Sequence, residues 1–376
     1  MTTQIERVFP PGEILKEELE VREWSQTDLA EILGRPVKLV NEIIAGKRAI
    51  TPETARGLSD ALGTSAELWM NLESQYQLYR AKRVDDDAVV RRARLYEAAP
   101  IKEMQRRGWI AETKDIDALE ASVCAFFGVN SLDEIQSLPH AAKKSTSYAE
   151  DATPAQRAWV QRVRALGESL VARPFSERLV IDGTHRLHAL LQARADVRQV
   201  PKVLADCGVR LLIVEPLAST KIDGVCVWLD DTRPVVALSL RFDRIDSFWF
   251  ALAHELGHVM HRDGMQNPIV DLDLVGDGAI TSEDKPEIER EADTFATNFL
   301  IPSQELTGFI ARVRPLYSKE RIKGFAARLK IHPGIVVGQL AFRKEIGYFH
   351  SREMLEKVRE IVTEAALTDG WNHSVA

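Results

Sequence analysis

Two segments of the chain differ in how apolar and polar positions are arranged. From Phe248 to Met260 most positions are apolar, which predicts a helix buried inside a domain. Within positions 1–80, short helical stretches are instead separated by polar caps and glycines. The two patterns predict at least two kinds of domain.

The segment at positions 1–80 predicts a bundle of five short helices. Ser25 and Asp28 have the spacing of a capping box, and Gly34 ends the helix that this box opens. A second helix then runs to Ile44, which gives a helix, a tight turn and a helix. Thr51-Pro52 opens a further helix. Such a bundle suits DNA binding, but spacing alone leaves a plain interaction module as the alternative.

The middle of the chain is less informative. Residues 83–199 predict a helical spacer with a polar linker near residues 139–154. Residues 351–366 predict an amphipathic terminal helix. We therefore expect a multidomain, mainly α protein divided into residues 1–82, 83–199 and 200–376.

The composition is that of an ordinary soluble protein. Its 376 residues are 45% hydrophobic, which predicts two or three domains. We find neither a leader typical of signal peptides nor an apolar run of about 18 residues, so we expect a cytoplasmic protein without a membrane partner. The widely spaced Cys124, Cys207 and Cys226 are expected to be reduced core thiols.

The buried helix carries the pattern His-Glu-x-x-His. His254 and His258 lie one helical turn apart and face the same way, so both imidazoles can bind one zinc ion. Zinc lowers the pKa of its bound water to about 7, and Glu255 beside that water can accept the proton as a general base. The motif predicts a peptidase. The alternative is a helix with two unrelated histidines.

A third ligand is expected from the acidic helix at residues 286–302. Glu289 and Asp293 share one face with Ala292 and Ala296, whose small side chains allow close approach to the histidine helix. We expect Glu289 to bind the metal and Asp293 to accept the free N–H of a ligating histidine. Mn²⁺ and Fe²⁺ remain alternatives to Zn²⁺, because this ligand set does not select zinc by affinity alone.

Together the two motifs, which end in Leu300-Ile301-Pro302, resemble the ImmA/IrrE family of zinc peptidases. Further stretches are similar to the family's short strands and closing segment: 209–214, 224–228, 235–240 and 331–338. The resemblance covers about residues 200–345. It implies an α+β, thermolysin-like core with a small sheet.

The same resemblance implies a zinc-dependent endopeptidase that cleaves a protein partner such as a repressor. It assigns His254, His258 and Glu289 as metal ligands, and Glu255 as the general base. Such a peptidase can be latent until a signal exposes its cleft.

Four stretches of the N-terminal region resemble the HigA/VapI-type antidote repressors of the XRE class: 11–19, 25–30, 46–55 and 65–72. Those proteins are helix-turn-helix DNA binders and usually dimers. The resemblance therefore implies a homodimer that binds double-stranded operator DNA.

By that resemblance six residues form the DNA-binding surface, four on the recognition helix and the last two against phosphate: Val37, Lys38, Asn41, Glu42, Lys47 and Arg48. Arg35-Pro36 stands where the family pattern has a small apolar residue and a Ser or Thr cap. Residues 1–80 contain nine basic and thirteen acidic side chains. We therefore expect local, salt-sensitive and dimer-dependent DNA binding.

Two functions follow from these motifs. In the first, the chain is a DNA-binding regulator whose metal domain cleaves a protein partner, and the intact Glu255 favours this function. In the second, it is an antitoxin-like repressor in which the peptidase fold is a non-catalytic sensor or dimerisation module. Tyr348, His332 and His350 are candidates for polarising a substrate carbonyl.

Overall fold

The chain forms two compact units, Met1–Val89 and Val90–Ala376. The structure is a computed structural model that describes residues 8–81, 86–137, 143–144, 147–265, 268–276, 285–347 and 349–373. Among these residues, no helix has both the length and the apolar composition that crossing a membrane requires.

Within residues 8–81 the N-terminal unit consists of five helices, which confirms the predicted bundle. They are α1 (Pro11–Val21), α2 (Gln26–Ile32), α3 (Val37–Ile44), α4 (Pro52–Leu62) and α5 (Ala66–Arg80). The predicted capping box is present, since Ser25 Oγ accepts from Asp28 N at 3.1 Å and Asp28 Oδ2 accepts from Ser25 N at 2.6 Å. Leu15, Leu29 and Trp69 are fully buried in the core that these helices share.

The described part of the C-terminal unit combines helices with a mixed sheet. The helices are α6 (Asp86–Ala98), α7 (Ile101–Arg106), α8 (Ile116–Phe127), α9 (Leu132–Ser137), α10 (Pro154–Ser169), α11 (Glu177–Ala189), α12 (Val200–Asp206), α13 (Ile245–His261), α14 (Glu287–Leu300), α15 (Ser303–Val313), α16 (Lys319–Leu329), α17 (Pro333–Phe342) and α18 (Arg359–Ala365). The strands are β1 (Lys143–Lys144), β2 (Ser147–Asp151), β3 (Arg210–Val214), β4 (Ile222–Trp228), β5 (Pro234–Leu238), β6 (Ile269–Leu272) and β7 (Leu367–Asp369).

The strands lie in the order β2-β1-β6-β4-β5-β3-β7. β4 is antiparallel to both of its neighbours, β5 and β6, whereas β3 is parallel to β5 and β7. Every residue of β3, β4 and β5 is buried, so the centre of the sheet is covered on both faces.

The predicted spacer at residues 83–199 differs from the structure. Residues from α6 to α10 form a core with one face of the sheet, which includes Leu212, Val225 and Val235. α11 and α12 pack on the opposite face with α13. The strands are apolar at consecutive positions, so the sheet needs a helical layer on each side, and the supposed spacer supplies part of both. Within the predicted linker, residues 147–151 are strand β2.

The C-terminal segment also differs from the predicted single helix at residues 351–366. A 3-10 turn at Arg352–Met354 precedes the short helix α18, and β7 then pairs in parallel with β3. The amphipathic pattern found the helical part, but the pairing with a strand far away in the sequence is a tertiary effect.

Candidate metal centre and nucleic-acid interface

The His-Glu-x-x-His segment lies in the middle of α13, which is buried at every position from Ile245 to Val259. α14 packs closely against it, because a Cβ at Gly257 would come within 3.0 Å of Ala292 Cα. Ala296 is also fully buried. The small residues of the acidic helix thus bring Glu289 and Asp293 to the histidines.

Both histidines point their Nε2 atoms at the same small space. The Nε2 atoms of His254 and His258 are 3.1 Å apart. On the other side of each ring, an aspartate faces Nδ1. Asp293 Oδ1 lies 3.0 Å from His254 Nδ1, and Asp263 Oδ2 lies 3.0 Å from His258 Nδ1. With both Nδ1 atoms protonated toward these acids, both Nε2 atoms present lone pairs to the centre.

Two carboxylates complete this centre. Glu289 oxygens lie 3.3 Å from His254 Nε2 and 3.6 Å from His258 Nε2. Asp271 oxygens lie 3.5 Å and 3.7 Å from the same two atoms. His254, His258, Asp271 and Glu289 are all fully buried, and each offers an atom within 4.8 Å of the others.

The donor set fits a divalent metal ion. A tetrahedral site with bonds of about 2.0–2.1 Å places its ligand atoms about 3.3 Å apart, close to the separations found here. Among the described residues, neither oxygen of Glu289 nor of Asp271 has a hydrogen-bond partner. Buried acceptors without donors are costly, and a cation would satisfy them together.

The pKa shifts of the buried groups also favour positive charge at this centre. Burial lowers the pKa of His254, but Asp271, Asp293 and Glu289 outweigh this effect and raise that pKa well above its ordinary value. The acids therefore favour positive charge at the centre, whether from a proton or from a metal. Burial, and then the negative charge of Asp271, raise the pKa of Glu255 well above its ordinary range.

Glu255 fills a space that β4 leaves open. A Cβ at Gly224 would overlap the Glu255 carboxylate, so only glycine allows this close approach. Glu255 is fully buried, and neither of its oxygens has a hydrogen-bond partner within the described part of the chain. The carboxylate that the motif nominates as a base is therefore free of a competing donor there.

Three residues of the centre are absent from the sequence analysis. Asp271 lies in β6, and its only signal is an acid within the apolar run Ile269-Val270-Asp271-Leu272. Asp263 follows α13 without a recognisable motif. Lys285 is buried, and its Nζ donates to Asp293 Oδ2 at 2.7 Å. Their positions depend on how distant segments pack.

Two candidates for carbonyl polarisation, His332 and His350, make their contacts away from the histidine pair. His332 caps α17 by accepting from Gly334 N and lies beside Glu356. His350 contacts the backbone oxygen of Tyr317. Tyr348 lies outside the described residues.

In the N-terminal unit, the residues predicted to contact DNA lie on α3 and in the turn after it. Val40 and Ile43 are buried and hold the helix to the core, whereas Lys38, Asn41, Lys47 and Arg48 are exposed and Val37 and Glu42 half-buried. Pro36 is the N-cap of α3 and provides no side-chain cap. Arg35 instead pairs with Glu53 of α4.

The basic side chains of this surface are partly neutralised. Glu42 lies 3.8 Å from Lys38 Nζ and 3.1 Å from Arg48 Nη1. Exposed pairs of this kind contribute little to stability and open at low cost. Contact with phosphate would therefore require these pairs to exchange partners.

Two family models match the chain. The IrrE N-terminal-like domain of the M78 peptidases matches residues 208–340, and a helix-turn-helix model matches residues 15–69. Among curated proteins, the chain is 32% identical over 82 residues to the uncharacterized HTH-type transcriptional regulator YddM of Escherichia coli, which covers 22% of this chain and 87% of that protein. It is 38% identical over 74 residues to virulence-associated protein I of Dichelobacter nodosus, and the match covers 19% of this chain and 68% of that protein.

Solved antidote proteins are among the structures that match. The HigA-family addiction module antidote protein of Coxiella burnetii is 40% identical, covers 20% of this chain and 84% of its own, and has a TM-score of 0.20. Pseudomonas aeruginosa antitoxin HigA, solved with the higBA promoter, is 36% identical, covers 22% and 91%, and has a TM-score of 0.21. The helix-turn-helix model and the match to YddM show that the chain belongs to the XRE-type helix-turn-helix family, and it carries in addition a C-terminal domain of the IrrE/ImmA (M78) peptidase family.

Proposed function

We propose that this chain is a DNA-binding transcriptional regulator whose C-terminal domain is a zinc-dependent endopeptidase acting on a protein partner such as a repressor. The observation that carries the proposal is the convergence of two imidazoles and buried carboxylates beside an intact Glu255. A helix kept only for packing would not need so many unpaired acceptors around one point.

In this proposal His254, His258 and Glu289 hold the metal. Asp293 and Asp263 orient the two rings and keep their Nε2 atoms unprotonated. When bound, a zinc ion supplies an activated water and a Lewis acid for the substrate carbonyl. Glu255 would accept the proton of that water as the general base.

The N-terminal unit would bring this centre to operator DNA. The proposed surface consists of Val37, Lys38, Asn41, Glu42, Lys47 and Arg48. A homodimer would contact two half-sites, as helix-turn-helix proteins commonly do. DNA binding would also raise the effective concentration of the peptidase at a promoter, where a repressor bound nearby becomes an accessible substrate.

The alternative is an antitoxin-like repressor with a non-catalytic metal domain. The complete burial of the His254–Glu289 centre favours it, because a substrate has no access to a fully buried site. Both functions share the DNA-binding unit and differ in whether a peptide bond is cut.

The test compares new protein N-termini in cells that produce the wild type or Glu255→Gln at equal levels. Glu291→Gln, an exposed change on α14, is the matched control. We expect a cut that requires Glu255 and persists in the control, with promoter binding unchanged in all three proteins. Equal N-terminal profiles under several stresses, with DNA binding retained, would favour the non-catalytic alternative.

A further inference from the structure

Asp271 competes with Glu289 for the role of ligand. Its oxygens lie nearly as close to each histidine as those of Glu289, 3.5 against 3.3 Å for His254 and 3.7 against 3.6 Å for His258. Four side chains, instead of the expected three, therefore have atoms close enough together to hold one ion.

The position of Asp271 on β6 directs its side chain toward the two histidines. Val270 faces the core on the opposite side of the sheet, so Asp271 faces α13 by the alternation of side chains along β6. Asp271 is paired with Gly224 across the strands, and the register shifts between Ile222 and Gly224. Such irregularities re-aim side chains next to active sites. The glycine that makes room for Glu255 therefore also has Asp271 as its neighbour.

Apart from the two histidines and the adjoining Glu255 carboxylate, no described residue explains why Asp271 is buried. The side chain is fully buried, and neither oxygen has a hydrogen-bond partner in the part of the chain that the structure describes. Nearby Asp273, by contrast, binds Arg241 at 2.9 Å and lies 3.4 Å from Lys221. Arg241 also binds Asp223, which accepts from Leu274 N, so the residues that follow β6 are firmly attached to the sheet.

We propose that Asp271 is a fourth protein ligand that closes the metal centre in the resting protein. Catalytic zinc sites have three protein ligands and an open position for water, whereas sites with four protein ligands are closed. Asp271 would take the place of the water that Glu255 is positioned to deprotonate. The protein would then be a latent peptidase that becomes active when β6 moves Asp271 away from the metal. This consequence rests on the proposed function.

The experiment measures metal-bound water rather than activity. The full chain is loaded with Mn²⁺, and water-proton relaxation counts the exchangeable waters on the bound ion in the wild type, Asp271→Ala, Asp271→Asn and Asp273→Asn. Mn²⁺ favours octahedral coordination, so it can keep waters beside four protein ligands. We therefore expect equal counts in the wild type and in the Asp273 control, and at least one more water in Asp271→Ala. Chelator competition should show at least a tenfold loss of Mn²⁺ affinity in Asp271→Ala, since even residues behind the ligands change affinity 10–100-fold.

Asp271→Asn covers the case in which the alanine variant does not fold. It keeps the shape of the side chain but offers a weaker, neutral ligand, so its water count should also rise. An equal water count in the wild type and in both Asp271 variants would overturn the proposal.

The readouts separate this inference from the proposed function. Failure of the wild type to take up Mn²⁺ would remove the metal-dependent function and the inference with it. If Asp271→Ala gains a water, it should also produce new N-termini that Asp271→Ala/Glu255→Gln lacks. If Asp271→Ala gains a water but produces no such cut, the closed metal site is supported and the peptidase function is rejected.

Discussion

The two units place charged side chains in opposite environments, one exposed to water and the other buried. On the proposed DNA-binding surface, Glu42 pairs with Lys38 and Arg48 where water reaches all three. In the candidate metal centre, Asp271 and Glu289 are fully buried and have no hydrogen-bond partner among the described residues. The first arrangement can exchange partners at little cost, whereas the second holds buried negative charges that a bound cation would compensate.

This contrast separates the two proposed activities physically. A surface that binds a polyanion needs charges that dissociate from their own partners quickly. A hydrolytic centre needs ligands that stay in place when the metal and substrate change. The predictions below test how far the two units differ in this respect.

Removal of the metal should give the largest effect. A ligand present at 1,000 times its dissociation constant stabilises the folded state by about 4 kcal/mol, and apo protein would also leave buried acids facing one another. Hydrogen exchange with and without a chelator should show lost protection in α13 and α14. The amides of α1 to α5 serve as the internal control, and equal loss in both units would contradict the contrast.

Substitution of the two aspartates that face the ligating histidines should have the next largest effect. Asp293→Asn and Asp263→Asn each remove the acid facing one ligating histidine, and we expect each to weaken zinc binding about 10–100-fold. Zinc competition with a chromophoric chelator measures this change. Glu291→Gln on α14 should leave the affinity unchanged. Wild-type affinity in both aspartate variants would show that neither ring needs its acid.

A smaller effect is expected on DNA. Glu42→Gln removes a negative charge between Lys38 and Arg48, so affinity for a random-sequence duplex should rise about threefold to tenfold at low salt. Fluorescence anisotropy over a salt series measures it. Glu31→Gln, an exposed change on α2, is the control for net charge. Equal gains in the two variants would mean that Glu42 acts only through overall charge.

The last effect concerns Tyr317 and appears only at high pH. Burial, and a hydrogen bond to Glu345 at 2.6 Å, raise the pKa of Tyr317 to about 12. The folded state therefore keeps this proton longer than the unfolded chain, so the stabilisation is complete below pH 10 and is lost as pH rises from 10 to 12. Wild type should lose at most about 2 kcal/mol more than Tyr317→Phe over that range in denaturant titrations. The exposed Tyr79→Phe should follow the wild type.

Local signals predicted the N-terminal unit well. Ser25 and Asp28 form the capping box that their spacing indicates, because capping involves residues three positions apart. The same holds for the shared face of Glu289 and Asp293, since helix geometry fixes it. The residue types at 254–258 and 289–293 were enough to nominate five side chains that the structure brings together: His254, Glu255, His258, Glu289 and Asp293.

Long-range packing accounts for what the sequence analysis missed. Asp271 reaches the centre only because β6 pairs with β4 in a shifted register, and no local pattern encodes that pairing. The spacer prediction was wrong because it overlooked β3 and β5, which are apolar at consecutive positions. Such strands indicate a sheet that helices cover on both faces, and the supposed spacer supplies part of that cover. Asp263 and Lys285 lie near no motif and are recognised only by their contacts.

The strand β7 has a consequence for the order in which the chain can mature during synthesis. Asp369 Oδ2 accepts from Trp109 Nε1, 260 positions earlier, and β7 pairs with β3. The ribosome must therefore complete β7 before these contacts form, whereas the core of the N-terminal bundle is built entirely from side chains of α1 to α5 and their connections. A nascent chain could thus acquire its DNA-binding unit well before the edge of the sheet beneath the metal centre is complete.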